Sequence, residues 1–220
     1  MKLNKYFDHT ILKADATEAD IEKLCGEAKT HSFCAVCVNS CYVPLAASLL
    51  TGTDVKIAAV VGFPLGAVST EVKAYETTWA SASGATEIDM VIHIGALKEG
   101  RYDYVRDDIA AVVASAKEHG SIVKVILETC LLTDEEIVRA CQLSMEAGAA
   151  FVKTSTGFSS GGATAHHVSL MKKAVGDKMQ VKASGGIRDL NKTLEMIEAG
   201  ADRIGASASV QILQEYEKNK

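Results

Sequence analysis

The chain has 220 residues, 48% of them hydrophobic and 23% charged, with a formal net charge of −5. Such a composition is that of an ordinary globular protein long enough to bury a full core, and the negative balance argues against broad nucleic-acid or anionic-membrane binding. No apolar stretch approaches the roughly 18 residues of a membrane span, and the charged start "MKLNKYFDHTIL" does not read as a signal peptide, so a cytoplasmic location is expected.

In chain order, "FDHTIL" (7–12) is the first of eight short apolar runs of strand length. It is followed by "TEADIEKLCGEAKTH" (17–31), a helical pattern with Thr17 and Asp20 as a capped start. The second run, "FCAVCV" (33–38), contains a C-x-x-C pair, Cys34 and Cys37. The pair lies inside a strand-like run, whereas a redox pair usually opens a helix. His31 and Cys41 nearby do not complete a compact four-ligand set, so core thiols are expected in preference to zinc. With no secretory signal, all six cysteines are expected free.

"VKIAAVVGF" (55–63) precedes a helical stretch over 69–84, and "TEIDMVIHIG" (86–95) precedes one over 102–120. "IVKVILE" (122–128) leads into 133–148, where Thr133 and Glu136 form a capping box. "AFVKTS" (150–155) is followed by a helix opened by His166 and His167. "QVKASGG" (180–186) leads to a helix over 189–200, and "RIGASA" (203–208) is the last run. Four of the helical stretches stop on glycine, at Gly84, Gly120, Gly148 and Gly200. Alternating strands and helices with short buried strands imply an α/β protein with a parallel sheet. Eight such units favour a single (β/α)8 TIM barrel over an open doubly wound sheet, as one domain over residues 1–220. A Rossmann dehydrogenase is disfavoured because no G-x-G-x-x-G follows the first run.

Chemistry in such barrels sits at the C-terminal ends of the strands. Charged residues in or near those ends are Asp8, Glu87, Asp89, Lys124, Glu128, Lys153 and Lys182. Any one alone reads best as a solvated rim residue or half of a salt bridge. Three lysines with several acids converging from neighbouring strands read differently, since buried charge is costly unless paired. A lysine ammonium is not a nucleophile, but a second cation nearby favours the neutral amine, which can attack a carbonyl and form a Schiff base. Lys153 and Lys182 on adjacent strands fit that pair, with Asp89 and a bound water for proton transfer. The turns "ASGGIRD" (183–189) and "IGASAS" (204–209) follow the last two strands, where barrels often bind phosphate through backbone N–H groups. Either loop alone could simply be a tight turn. Together the residues imply lysine chemistry on a phosphorylated carbonyl compound.

The segments "FDHTILK" (7–13), "AVCVN" (35–39), "VVGFPLG" (60–66), "EIDMVI" (87–92), "VKVILET" (123–129), "FVKTSTGF" (151–158), "VKASGGIR" (181–188) and "RIGAS" (203–207) resemble, in order, those of the deoxyribose-phosphate aldolase family of class I aldolases. The resemblance covers nearly the whole chain. It implies reversible cleavage of 2-deoxy-D-ribose 5-phosphate to acetaldehyde and D-glyceraldehyde 3-phosphate, with no metal or organic cofactor. It implies that Lys153 is the Schiff-base lysine, that Lys182 perturbs it, and that Asp89 belongs to the proton relay. Asp8, Thr10 and Lys124 match the surrounding polar network, and Leu12 and Cys37 match pocket-lining positions. Thr156 and Gly157 match the loop after the Schiff-base strand, and Gly185, Gly186 and Ser207 match phosphate-site positions. The partners implied are a sugar phosphate and acetaldehyde, with association into a homo-oligomer, dimer or tetramer. His93 stands where the family often has asparagine, and Ser40 where it often has proline. Some members use a C-terminal tyrosine, for which Tyr216 is the only candidate. Two alternatives stand beside this reading: a Schiff-base barrel aldolase for a different sugar phosphate, and a barrel that binds a sugar phosphate without catalysis.

Overall fold

The computed structural model describes residues 1–219. Eight parallel strands close into a barrel in sequence order: β1 (Phe7–Thr10), β2 (Ala35–Asn39), β3 (Lys56–Val61), β4 (Glu87–Val91), β5 (Ile122–Ile126), β6 (Phe151–Lys153), β7 (Gln180–Ser184) and β8 (Arg203–Ala206). Around them lie α1 (Glu18–His31), α2 (Val43–Leu50), α3 (Thr70–Ala82), α4 (Ile94–Lys98), α5 (Tyr102–Lys117), α6 (Asp134–Glu146), α7 (Ala165–Val175), α8 (Leu190–Glu198) and α9 (Ser209–Lys218).

Local sequence accounts for the element ends. Thr17 and Thr133 each accept from the third backbone N–H of their helix, while Asp20 and Glu136 reach back to the cap N–H. Gly84, Gly120, Gly148 and Gly200, the expected stops, all have positive φ, which glycine adopts at little cost. The strands are shorter than the apolar runs. The fourth run turns at Ile92, and residues 94–98 form α4, because His93 Nδ1 accepts from Ala96 N at 3.1 Å and caps a new helix.

Alternation sorts the strand residues into two environments. One set, including Val36, Val38, Ala59, Val61, Ile88, Met90, Val123, Val125, Val152, Val181 and Ile204, packs outward against the helices in the main apolar core. The other set faces the barrel axis. There the filling is mostly not aliphatic: Asp8, Glu87, Asp89, Lys124 and Lys182 are all buried. A barrel interior is normally packed with branched apolar side chains. Putting charge there instead demands internal pairing. All six cysteines are free; of the C-x-x-C pair expected as core thiols, Cys37 is buried but Cys34, just before β2, is only half-buried, while Cys25 and Cys141 are buried and Cys41 is exposed.

Candidate active site

Strand register delivers the site. Lys153 on β6 is level with Lys182 on β7, and Asp89 on β4 is level with Lys124 on β5. Register puts all four on the barrel's interior face but not at one level: Lys124 is paired with Phe151, two residues before Lys153, so the reach of the long lysine side chains to Asp89 brings the four together. Asp89 is the hub. Its Oδ2 accepts from Lys153 Nζ and from Lys182 Nζ, each at 2.8 Å, and its Oδ1 accepts from Lys124 Nζ at 2.8 Å.

A second layer lies below. Asp8 Oδ2 pairs with Lys182 Nζ at 2.5 Å and lies 3.7 Å from Lys124 Nζ, while its Oδ1 accepts from Arg203 Nη1 at 2.6 Å. Glu87 pairs with Lys124 at 2.5 Å and with Arg203 at 3.3 Å. Phe151, below Lys153 on β6, lies under this layer, with its ring centroid 5.4 Å from Arg203 Cζ and 5.9 Å from Lys124 Nζ. Gly205 on β8 leaves room for the lysine: a Cβ there would come within 3.1 Å of Lys182 Cε and 3.0 Å of Ser184 Cβ.

The charges hold one another in place. Burial alone would raise Asp89, but Lys124, Lys153 and Lys182 outweigh it and keep the carboxyl well below its usual range. Asp8 is likewise lowered against burial, chiefly by Lys182 and Lys124. Burial would strip the proton from Lys182, but Asp8 and Asp89 reverse this and hold it as a firm cation; Asp89 and Glu87 do the same for Lys124. Counting the connected groups gives four cations (Lys124, Lys153, Lys182, Arg203) and three carboxylates (Asp8, Glu87, Asp89), one positive charge in excess. Lys153 is the member with a single carboxylate partner, and it is the one lysine of the cluster that lines the cleft above.

That cleft has a volume of about 450 Å³, enough for a small sugar phosphate. Of the residues singled out in the sequence, Thr10, Leu12, Lys153, Thr156, Gly157, Gly185, Gly186 and Ser207 line it. Asp8, Asp89, Lys124 and Lys182 form the buried floor beneath. Cys37, expected to line the pocket, does not reach the cleft surface: it is fully buried behind Leu12 and Phe63, in a small apolar cluster with Ala58 and Val60, because its place on β2 faces the packed barrel interior. Its Sγ is 3.9 Å from Asp89 Oδ2, and burial pushes the thiol above its ordinary range.

Several contributors do not stand out in the sequence. Arg203 completes the charge balance, and only the barrel's closure shows that it meets Glu87, a strand charge already visible in the sequence. His9, whose Nε2 is 2.8 Å from Glu27 Oε2, borders the cleft with Lys13, Lys23, Phe158 and Arg188. The departure at His93 and the candidate Tyr216 both lie away from the cleft. His93 spends its ring on the α4 cap, a position that suits asparagine equally well. The Tyr216 hydroxyl donates to the Met1 carbonyl at 3.3 Å; Met1 precedes β1, so this is the opposite end of the barrel from the site. Ser40 donates to Glu76, whose other oxygen accepts from Gly62 N, so it supports the turn after β3. Among the described residues, the only grouping of three metal-ligating side chains is Asp134, His166 and His167, at the first turns of α6 and α7. There the positive ends of two helices oppose a cation, and His166 already pairs with Asp134 at 2.7 Å.

A closed parallel barrel that presents a cleft-facing lysine beside a fixed lysine cation and a shared aspartate is equipped for amine–carbonyl chemistry. The family comparison agrees: the profile described as DeoC/LacD family aldolase matches residues 2–215, and the chain belongs to that family. The deoxyribose-phosphate aldolase of Alkaliphilus oremlandii (strain OhILAs) is 61% identical over 219 residues, covering 100% of this chain and 98% of that one. The deoxyribose-phosphate aldolase of Carboxydothermus hydrogenoformans is 59% identical over 215 residues, covering 97% of this chain and 94% of its own. Among solved structures, the tetrameric deoxyribose phosphate aldolase from Aeropyrum pernix superposes with a TM-score of 0.93 at 35% identity, over 99% of this chain and 92% of that one. The aldolase QR15 also superposes at 0.93, with 41% identity over 99% and 96% of the two chains.

Proposed function

We propose that this chain is a class I aldolase that reversibly cleaves 2-deoxy-D-ribose 5-phosphate to acetaldehyde and D-glyceraldehyde 3-phosphate, with Lys153 as the Schiff-base residue. The observation that carries the reading is the sharing of one aspartate oxygen by two lysines at the same level, of which only Lys153 borders the cleft. The cluster's single excess positive charge disappears when one proton leaves. The nucleophile must be the free amine, and Lys153, with one carboxylate partner where Lys124, Lys182 and Arg203 each have two or more, is the cluster lysine that faces the cleft.

Neutral Lys153 attacks C1 of the open-chain sugar, and loss of water leaves a protonated imine. The C3 hydroxyl then gives up its proton, with Asp89 accepting through a water. The C2–C3 electron pair moves into the imine as C3 becomes a carbonyl. Glyceraldehyde phosphate leaves, the remaining enamine takes a proton at C2, and water releases acetaldehyde. Lys182 keeps its charge throughout, because Asp8 and Asp89 both hold its proton. Thr156, Gly157, Gly185, Gly186 and Ser207 line the end of the cleft suited to phosphate, and Thr10 and Leu12 line its β1 side. Lys124 fixes the orientation of Asp89, and Cys37 is apolar wall.

The testing experiment follows acetaldehyde release from 2-deoxyribose 5-phosphate through a coupled dehydrogenase. Wild-type chain releases it, and Lys153→Ala loses at least about 1,000-fold in kcat, as removal of a covalent nucleophile requires. A different sugar phosphate cleaved in preference would move the assignment to the other aldolase class, and binding without turnover would support the non-catalytic barrel. The chain also fits self-association in the cytoplasm. Val72, Tyr75 and Trp79 form an exposed stripe on α3, 52%, 74% and 40% accessible, and the Aeropyrum relative is a tetramer. No helix among the described residues is long and apolar enough to cross a membrane. Light scattering on the purified chain decides between monomer, dimer and tetramer.

A further inference from the structure

Glu128 is a buried carboxylate that the aldol chemistry does not use. It follows β5, is 2% accessible, and has φ 58° and ψ 60°, in the left-handed region. Among the described residues, the only other non-glycine there is Ser32, exposed at the end of α1, where a left-handed residue is ordinary. A glutamate held there carries backbone strain. It also keeps a buried carboxylate away from any basic side chain among the described residues, since none forms an ion pair with it. Two unfavourable features persist together only if the surroundings enforce them.

Its contacts show what the strain accomplishes. Both Glu128 oxygens accept from Thr156 N at 3.3 Å, and Oε2 accepts a short hydrogen bond from the Thr156 hydroxyl. That hydroxyl oxygen in turn accepts from Phe158 N at 3.0 Å. Three donors of the loop after Lys153 are thus drawn toward one carboxylate, directly or through Thr156. Gly157, between them, has φ 86° and lines the cleft, and its N–H has no hydrogen-bond partner among the described residues. The strands beneath are tied as well: Leu127 N bonds to Lys153 O at 2.9 Å and Thr129 N to Thr154 O at 2.9 Å.

We infer that Glu128 is a positioning residue that sets recognition of the substrate's anionic end. By engaging Thr156 and, through it, Phe158, it holds the turn that leaves the Gly157 amide available to an anion in the cleft. The inference rests on the aldolase reading, with phosphate bound at the Gly157 end.

The test compares wild type, Glu128→Gln, Glu128→Gly and Glu128→Ala on 2-deoxyribose 5-phosphate and on unphosphorylated 2-deoxyribose, with Tm and borohydride trapping of acetaldehyde on each. The kcat/KM ratio of phosphorylated to unphosphorylated substrate falls about 10-fold in Glu128→Gln, the size expected when one charge-linked hydrogen-bond anchor is lost, and it falls mainly through KM. Glu128→Gly retains a higher Tm than Glu128→Ala, because glycine relieves the left-handed strain, yet both lose the ratio. An unchanged ratio, or a parallel fall for both substrates that tracks Tm, overturns the proposal. If wild type itself traps no adduct on Lys153, the aldolase reading fails first and takes this inference with it. A trapped wild type with an unchanged ratio in the variants defeats the Glu128 inference alone.

Discussion

Replacing Asp8 by Asn leaves the shape of the barrel floor and removes one charge. Asp8 contacts three cations, Lys182 at 2.5 Å, Arg203 at 2.6 Å and Lys124 at 3.7 Å. Without it, four cations face two carboxylates, all buried or nearly so. Breaking a buried ion pair by removing one partner costs about 3–5 kcal/mol. For a chain of this size that is a fall in Tm of roughly 10 °C. The pH dependence gives a sharper signature. Asp8 and Asp89 are both held below their unfolded value. Their contribution is therefore fully present above that value, near pH 4, and is lost as pH falls below it toward the folded values. Each contributes about 1.4 kcal/mol per pH unit to that loss. Urea unfolding between pH 7 and pH 2 reads both effects: Asp8→Asn is less stable at pH 7, and its acid limb below about pH 4 is shallower by one carboxylate. A variant within about 1 kcal/mol of wild type at pH 7, with an unchanged acid limb, would refute the account of the floor as a mutually dependent charge cluster.

Gly205→Ala tests whether Lys182 needs its open path. The new Cβ, 3.1 Å from Lys182 Cε, displaces a fully buried lysine; overpacking costs about 1–3 kcal/mol, and kcat falls with it, whereas unchanged kcat would separate Lys182's position from catalysis. Tyr216→Phe changes kcat on the sugar phosphate by less than about two-fold, because its hydroxyl bonds at the far end of the barrel; a ten-fold loss would require that helix α9 deliver it to the cleft. Iodoacetamide at pH 8 labels exposed Cys41 first. Burial pushes Cys25 up to about 11, Cys141 up to about 12 and Cys37 above its ordinary range, so these wait for unfolding; rapid labelling of Cys37 would contradict its placement in the wall.

The barrel was legible because its strands are continuous apolar runs between glycine stops, as in "VKIAAVVGF" and "EAGAAFVK". Lys153, Lys182 and Asp89 were legible because charge inside such runs is costly to bury unless it is paired or put to chemical use. What sequence could not supply is closure. Arg203 begins a strand and reads as a rim residue until β8 pairs with β1 and brings it to Asp8, 195 positions away in the chain. The five-residue α4 is too short to show a periodicity, and its cap depends on one histidine nitrogen. Glu128 was visible as a charge at the end of a strand, but its left-handed backbone was not, since nothing in "LETC" demands it. Tyr216 matched a family feature by residue type alone, and the direction of α9 places it at the wrong end.

The chemistry turns on Lys153 forming the imine while Lys182 remains a cation. Borohydride reduction in the presence of acetaldehyde, read by intact mass and peptide mapping, separates the two lysines. The expected product is one ethyl adduct per chain on Lys153, abolished in Lys153→Ala and absent from Lys182. An adduct on Lys182, or none on a folded chain, would contradict that division of roles.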